Sequence, residues 1–202
     1  QTLIATVEPT GLVVTAPGGT PTLTVSGTPQ VGPTLTATGR VVLSRGPLSP
    51  SGNVVGRANL PVDVLQLQLK SDFFDATITS LALDASGSGD DSTGIGSVAL
   101  HRDVNADGRL DAGDVLIQNL PTGYAANNGT ATFTGLSEVL TASTVTQWLV
   151  VYTLATPPPN ATFTLSVDQT TDLGTAAVVA TEPAFPALGA LVQVFGGVTA
   201  SL

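Results

Sequence analysis

The chain of 202 residues carries a formal net charge of −9 and is 42% hydrophobic but only 10% charged. So acidic a chain lacks the basic footprint of a nucleic-acid-binding protein, and the absence of cysteine excludes disulfides, thiol catalysis and cysteine-ligated zinc. No apolar run approaches the ~20 residues that span a bilayer, so no membrane span is expected. The sequence begins at Gln1 without Met, as expected of a secreted chain after signal-peptide removal, or of a sequence trimmed at this point.

The first 60 residues contain short runs with strand character, separated by Thr, Gly and Pro. These runs are TLIATV, GLVVTA, TLTVS and TLTATGRVVL, at 2–7, 11–16, 22–26 and 34–43. We predict that residues 1–60 form a strand-rich N-terminal arm and that 61–202 form the core domain. The apolar segment 2–16 either folds back on its own domain or is donated as a strand to the next subunit.

Residues beyond 60 show the two-residue alternation that is typical of strands. In VDVLQLQLK, Leu65, Leu67 and Leu69 share one face, with glutamines on the other. In QWLVVYTL, at 147–154, both faces are apolar, so we predict a strand that is covered on both sides. The remaining predicted strands are at 76–84, 97–102, 114–118, 131–134, 161–167, 175–181 and 190–195. Many short strands without a helical period predict an all-β, antiparallel β-sandwich of Ig-like or jelly-roll-like type.

The stretch DVNADGRLDAGD, residues 103–114, concentrates acidic residues at regular spacing. Calcium takes six to eight oxygen ligands, and a twelve-residue loop supplies them from positions 1, 3, 5, 7, 9 and 12, with glycine at position 6. Position 7 contributes its backbone carbonyl. The predicted metal ligands are therefore Asp103, Asn105, Asp107, Arg109, Asp111 and Asp114.

The predicted cofactor is Ca²⁺ rather than Mg²⁺, because Mg²⁺ dehydrates reluctantly and rarely uses all-protein cages. The alternative to a metal site is a polar turn that binds no ion, but four crowded carboxylates would repel one another without a cation. The loop ends in Asp114 instead of the usual Glu, so its last ligand is shorter. The flanks at 97–102 and 114–120 look extended, which places the loop between strands rather than helices. For the segment GSGDD we favour a solvated loop without an ion. The alternative is a second ion bound at Asp90 or Asp91.

The loop resembles the calcium loop of dockerin repeats, which also end in Asp. The wider run LQLQLKSDFFDATITSLALDASGSGDDSTGIGSVALHRDVNADGRLDAGDVLI, followed by GTATFTGL and QWLVVYTLA, resembles Ig-like β-sandwich domains of prokaryotic extracellular and surface proteins. The likeness covers roughly 61–167 and implies a sandwich with a calcium loop. A dockerin would carry two loops with helices and bind a cohesin, so that partner is not implied for this single loop.

The sequence offers little for catalysis. His101 is the only histidine, and it lies beside Arg102 and Asp103 in a predicted strand. No nucleophile elbow, phosphate loop or zinc spacing is present, and the aromatic residues that line sugar sites make up only 4% of the chain. We expect no enzymatic activity.

Two functions fit these features. The first is a calcium-stabilised structural subunit of an extracellular filament, pilus or surface layer, polymerised head-to-tail with copies of itself by strand donation. The alternative is an adhesion or carbohydrate-binding module of a secreted surface protein, for which Tyr124 is the exposed aromatic candidate, while Trp148 and Tyr152 look like core residues. Asn128 and Asn160 open N-glycosylation triplets and are candidate glycan sites. The expected location is extracellular or at the cell surface.

Overall fold

A computed structural model provides the structure of the protein. It describes residues 40–72, 74–176 and 186–195, together with the backbone of short strands at 2–3, 6–7, 30–31, 35–36 and 180–183. The strands predicted at 11–16 and 22–26, and most of the segment 2–16, lie outside the described residues.

The contacts within the chain define two units, Gln1–Thr38 and Gly39–Leu202. The first unit contains two short antiparallel pairings. The paired strands are β1 (Thr2–Leu3) with β4 (Leu35–Thr36), and β2 (Thr6–Val7) with β3 (Gln30–Val31). The division falls after Thr38, whereas the sequence analysis placed the end of the arm at residue 60.

The second unit is built almost entirely of strands, which confirms the predicted all-β class. In chain order they are β5 (Arg40–Arg45), β6 (Asn53–Gly56), β7 (Pro61–Ser71), β8 (Ala76–Gly87), β9 (Ile95–Arg102), β10 (Val115–Leu120), β11 (Thr130–Leu140), β12 (Val145–Leu154), β13 (Thr162–Val167), β14 (Leu173–Thr175), β15 (Ala180–Pro183), β16 (Ala187–Leu188) and β17 (Leu191–Val194). Two single turns of helix accompany them, α1 (Asp91–Gly94) and a 3₁₀ turn at Thr170–Asp172. Among the described residues, no helix is long and apolar enough to cross a membrane.

The strands form two sheets that pack as a β-sandwich. One sheet has six strands in the order β10-β9-β12-β7-β5-β15. The other has seven, with the path β11-β8-β13-β17-β6, β14 beside β8 and β16 beside β13. All pairings in these sheets are antiparallel except β15 with β5 and β17 with β6. Because β5 and β6 belong to these sheets, residues 40–60 are part of the sandwich.

The hydrophobic core lies between the two sheets and follows from the alternation in the sequence. Leu65, Leu67 and Leu69 of β7 are all completely buried, as predicted. On β13, Phe163, Leu165 and Val167 are buried, while the Thr and Ser residues between them are partly exposed. Each fully buried side chain of this size contributes about 1.5–3 kcal/mol through removal of apolar surface from water.

Strand β12 is covered on both faces, as its sequence predicts. Its core-facing residues are buried, and Leu149 and Val151 on the opposite face are only 0% and 2% exposed. Val151 is in register with Asp63 of β7. The Asp63 carboxylate accepts a hydrogen bond from the Leu110 amide at 3.2 Å. The chain between β9 and β10, residues 103–114, therefore reaches the outer face of the sheet beside β12.

The prediction that Tyr124 is exposed is wrong. Its side chain is 1% exposed, and its hydroxyl lies 2.7 Å from the hydroxyl of Tyr152. The two rings meet edge to face, with centroids 6.1 Å apart. Burial raises the pKa of both phenols well above their ordinary value, so both stay protonated and one donates to the other. The Tyr124 side chain is buried although the surrounding loop is polar, because its ring packs in the core and its hydroxyl has a hydrogen-bond partner there.

Replacing Tyr152 by Phe should destabilise the protein by about 1–3 kcal/mol, because the Tyr124 hydroxyl is then buried without its partner. The double variant Tyr124→Phe with Tyr152→Phe should lose less than the sum of the single variants, since no hydroxyl is stranded. Urea unfolding of the four proteins measures this. Strictly additive losses would show that the hydroxyl pair is not an energetic unit.

Candidate metal centre

Loop 103–114 joins β9 to β10, so both flanks are strands, as their sequences predict. At the base of the loop, Arg102 and Val115 are paired in register. Asp103, the first loop residue, is 3% exposed. Its amide donates to the carbonyl of Gln147 on β12 at 3.0 Å, which extends the sheet into the loop. The loop is thus tied to a rigid sheet at the point where its ligand positions begin.

The first half of the loop is organised by side-chain oxygens that accept from the loop's own amides. Asp103 accepts from the amides of Asp107 at 3.1 Å and Gly108 at 2.9 Å. Asn105 Oδ1 accepts from the Asp107 amide at 3.2 Å, and Asp107 Oδ1 accepts from the Arg109 amide at 2.8 Å. These bonds curl the backbone around the predicted ligands at positions 1, 3 and 5, and they hold at least one oxygen of each side chain in place.

The second half of the loop repeats this arrangement. Asp114 accepts from the amides of Val104 and Asp111, both at 3.1 Å, and so closes the loop from its last position to its start. Asp111 Oδ1 accepts from the Gly113 amide at 2.6 Å. Every acidic residue of the loop is therefore held by at least one backbone amide.

One amide group lies between two carboxylates in the middle of the loop. Asn105 Nδ2 donates to Asp107 Oδ2 at 3.1 Å and to Asp111 Oδ2 at 2.8 Å. The nitrogen and oxygen of an Asn amide are nearly interchangeable in shape. Reversal of this amide would present an oxygen beside two carboxylate oxygens, which is a hard-cation donor set.

Gly108 makes the sharp turn that the sequence predicts at position 6. Its φ is +73°, a left-handed conformation that favours glycine. The close packing of the loop adds a second reason for glycine, since a Cβ at this position would lie 2.1 Å from the carbonyl oxygen of Leu48.

The charges beneath the loop are partly shielded from water. Burial raises the pKa of Asp63 above its ordinary value, although the hydrogen bond from the Leu110 amide opposes this. Burial also lowers the pKa of His101, against the opposing charges of Asp114 and Asp63. His101 is therefore neutral near pH 7. It is a strand residue of β9 beside the loop, in the position that the sequence predicts for it.

A second group of carboxylates, which the sequence analysis missed, could hold a metal ion. Asp84 of β8 and the pair Asp168 and Asp172 bring oxygens within 4.8 Å of one another. In the fully described loop 103–114, no three aspartates approach this closely. Asp172 also accepts from the Asp168 amide, at 3.1 Å, and Asp84 accepts from the Thr130 hydroxyl. The acidic pair in DQTTD was the available signal, but its proximity to Asp84 depends on strand pairing.

The GSGDD segment forms the start of α1. Asp90 caps this turn, and the Ser92 hydroxyl and amide hold the pKa of its carboxyl below the ordinary value. Asp91 is completely buried, and burial raises the pKa of its carboxyl. Asp91 Oδ2 accepts from the Asn128 amide at 2.9 Å, whereas Oδ1 has no partner among the described residues. One of the two candidates for a second ion is therefore a helix cap, and the other ties two loops together.

No family model and no curated protein sequence matches the chain. Among solved structures, a family 123 glycoside hydrolase from Clostridium perfringens, known for glycolipid glycan hydrolysis, is similar at a TM-score of 0.34 and 7% identity. The similarity covers 81% of this chain and 28% of the enzyme, so the chain spans less than a third of the enzyme's length. A likeness of this strength carries no inference about family or activity.

Proposed function

We propose that the chain is a non-enzymatic structural subunit of an extracellular filament, pilus or surface layer, and that calcium bound in loop 103–114 stabilises it. The observation that carries the metal assignment is the donor set of this loop. Carboxylates, one side-chain amide and one backbone carbonyl are oxygen donors of the kind that calcium prefers. The holding residues would be Asp103, Asn105, Asp107, Asp111 and Asp114, with the carbonyl of Arg109.

Binding of calcium here requires a small rearrangement within the loop. The Asn105 amide must turn its oxygen inward, and the carboxylates of Asp107 and Asp111 must exchange that amide for the cation. Turning the Asn105 amide gives up the bond that its oxygen accepts from the Asp107 amide, but the Asp107 amide still donates to Asp103. The other oxygens of Asp107 and Asp111 keep their bonds from backbone amides. A cation that binds only the folded chain stabilises it in proportion to RT ln(1 + [L]/Kd).

Assembly by strand addition is supported by the outer edge of β10, with which no other strand among the described residues pairs. This strand ends the six-stranded sheet, and Val115 and Leu116 at its start are 48% and 53% exposed. Its sequence, VLIQNL, contains no charge or proline, the usual residues that block pairing at an edge. An apolar edge of this kind accepts an extended segment through main-chain hydrogen bonds. We propose that segment 2–16 of the next subunit supplies it, which makes an open, head-to-tail chain.

Deletion of residues 1–16 tests this assembly. The truncated protein should remain a monomer under conditions in which the full chain polymerises, as measured by sedimentation and negative-stain microscopy. Its melting temperature should change little, because the described strands of the two sandwich sheets all lie at residue 40 or beyond. Normal polymers of the truncated chain would rule out donation by this segment.

A pair of surface variants locates the accepting edge. Leu116→Lys places a charge on β10 and should also block assembly. Leu60→Lys is the matched control, since Leu60 is 50% exposed but precedes β7 and lies away from the β10 edge. If both variants assemble like the unmodified chain, β10 is not the acceptor.

The alternative function as an adhesion or carbohydrate-binding module has no specific support. The aromatic residues considered for a binding platform, Tyr124, Trp148 and Tyr152, are at most 1% exposed. The sequon residues Asn128 and Asn160 are both exposed, in turns with φ of +49° and +65°. Glycans on these two residues remain part of the proposal for an extracellular subunit.

A further inference from the structure

We infer that Gln66 is a positioning residue for the calcium loop, and that through it cation binding is transmitted to loop 46–52, the connection between β5 and β6. This inference rests on the calcium site proposed above. It concerns a residue outside the loop, on strand β7, whose type the loop motif does not specify.

Gln66 joins the two loops through its side-chain amide. It is completely buried although it lies on the face of β7 opposite the core leucines. Its Nε2 donates to Asp103 Oδ2 at 2.7 Å, and its Oε1 accepts from the Leu48 amide at 2.9 Å. A buried side-chain amide whose nitrogen and oxygen both form hydrogen bonds has one stable orientation, because rotation would leave these groups and their partners buried without hydrogen bonds.

The backbone of Gln66 holds loop 46–52 as well. Its amide donates to Ser49 Oγ at 3.0 Å, and its carbonyl accepts from the Gly46 amide at 2.7 Å. Gly46 has no room for a side chain, since a Cβ there would lie 2.4 Å from Gln66 Oε1. Gln66 thus contacts loop 46–52 through both its side chain and its backbone.

The contact with Asp103 determines which of its oxygens can serve the cation. Asp103 Oδ2 accepts from both Gln66 Nε2 and the Gly108 amide, so it is occupied by two strong donors. Among the described residues, only the Asp107 amide donates to Oδ1, at 3.1 Å. Gln66 therefore turns Oδ1 towards the loop centre and makes Asp103 a ligand through one oxygen.

The two loops also meet directly and share a groove. Gly108 packs against the carbonyl of Leu48, and residues of both loops line a cavity of about 590 Å³ together with Val55 and Asp63. A cation that draws Asp103 inward acts on Gln66, and Gln66 acts on the Leu48 amide. Calcium should therefore protect loop 46–52 from exchange with solvent, although none of its residues is a ligand.

The variant Gln66→Leu tests the inference on the full chain, with Gln68→Leu as the matched control. Gln68 lies two residues further along the same face, and its side chain bonds to Gln147 at 3.3 Å rather than to either loop. Calorimetric titration with CaCl₂ should show affinity roughly 10-fold or more weaker for Gln66→Leu, since 1.4 kcal/mol corresponds to a factor of ten. Gln68→Leu should bind calcium as the unmodified chain does.

Hydrogen exchange supplies a second readout, independent of the measured calcium affinity. In the unmodified chain, calcium should slow exchange of the Leu48 amide at least several-fold, and this response should be absent in Gln66→Leu. Unchanged exchange at Leu48, together with equal calcium affinity of Gln66→Leu and the unmodified chain, would overturn the inference while leaving the calcium site intact. Absence of any calcium binding by the unmodified chain would instead overturn the proposed metal site and this inference with it.

Discussion

Removal of calcium with a chelator should lower the melting temperature of the protein by about 5–11 °C. At a free calcium concentration of 100 times Kd, a ligand specific to the folded state contributes about 2.7 kcal/mol. For a domain of this size, each kcal/mol corresponds to about 2–4 °C. The effect is global because loop 103–114 is tied to β7 through Leu110 and Asp63, and to β12 through the Asp103 amide.

Substitution of one exposed aspartate in each carboxylate group tests which of the two groups binds the ion. Asp107 and Asp168 are both exposed, so replacement of either by Ala leaves the core intact. Asp107→Ala should abolish the calcium-dependent rise in melting temperature, whereas Asp168→Ala should retain it. Thermal unfolding with and without chelator, supported by calorimetry, measures both variants. The reverse pattern would place the ion at Asp84, Asp168 and Asp172 instead of in the loop.

The parts of the fold that the sequence predicts best are those governed by local alternation. The alternating leucines of β7 and the apolar faces of β12 lie where the two-residue period puts them. Strand β11 was predicted only at 131–134 but extends over Thr130–Leu140, with a register shift between Thr134 and Glu138. Gly135, at φ +69°, sits in this irregularity, so a residue that resembles a turn is accommodated within a strand.

Features that depend on which strands pair could not be predicted from local pattern. The parallel pairings of β15 with β5 and of β17 with β6 bring the end of the chain back to residues 40–56. The carboxylate group arises similarly, because Ser166 of β13 is in register with Asp84 of β8 and places Asp168 near it. The buried amide of Gln66 is a further case, since its partners are set by loop packing.

Loop 103–114, by contrast, could be predicted from local sequence, because its ligand spacing is contained in twelve consecutive residues. The motif predicts its turn at Gly108, and the flanking sequences at 97–102 and 114–120 predict the strands on either side, without knowledge of the sheets. It does not predict the contact of Gly108 with Leu48, which makes the loop part of the packing of the domain.

Gly108→Ala should destabilise the protein by about 2–5 kcal/mol. A left-handed conformation costs an L-residue roughly 1–2 kcal/mol. The added Cβ would also lie 2.1 Å from the Leu48 carbonyl oxygen, a backbone atom that cannot rotate away. Displacement of Leu48 would break its bond to the buried Gln66, and stranding a buried polar group costs about 1–3 kcal/mol.

Gly52→Ala is the control that isolates the packing contribution. Gly52 has φ of +72°, nearly the same as the +73° of Gly108, but a Cβ there would meet nothing within 4 Å. Urea unfolding in the presence of chelator, which removes any contribution from calcium binding, should therefore give a loss of about 1–2 kcal/mol for Gly52→Ala, from backbone conformation alone. The excess loss in Gly108→Ala then measures the contact between the two loops. Equal losses would mean that loop 103–114 yields without disturbing Leu48, in which case the route from cation to loop 46–52 would have to run through Gln66 alone.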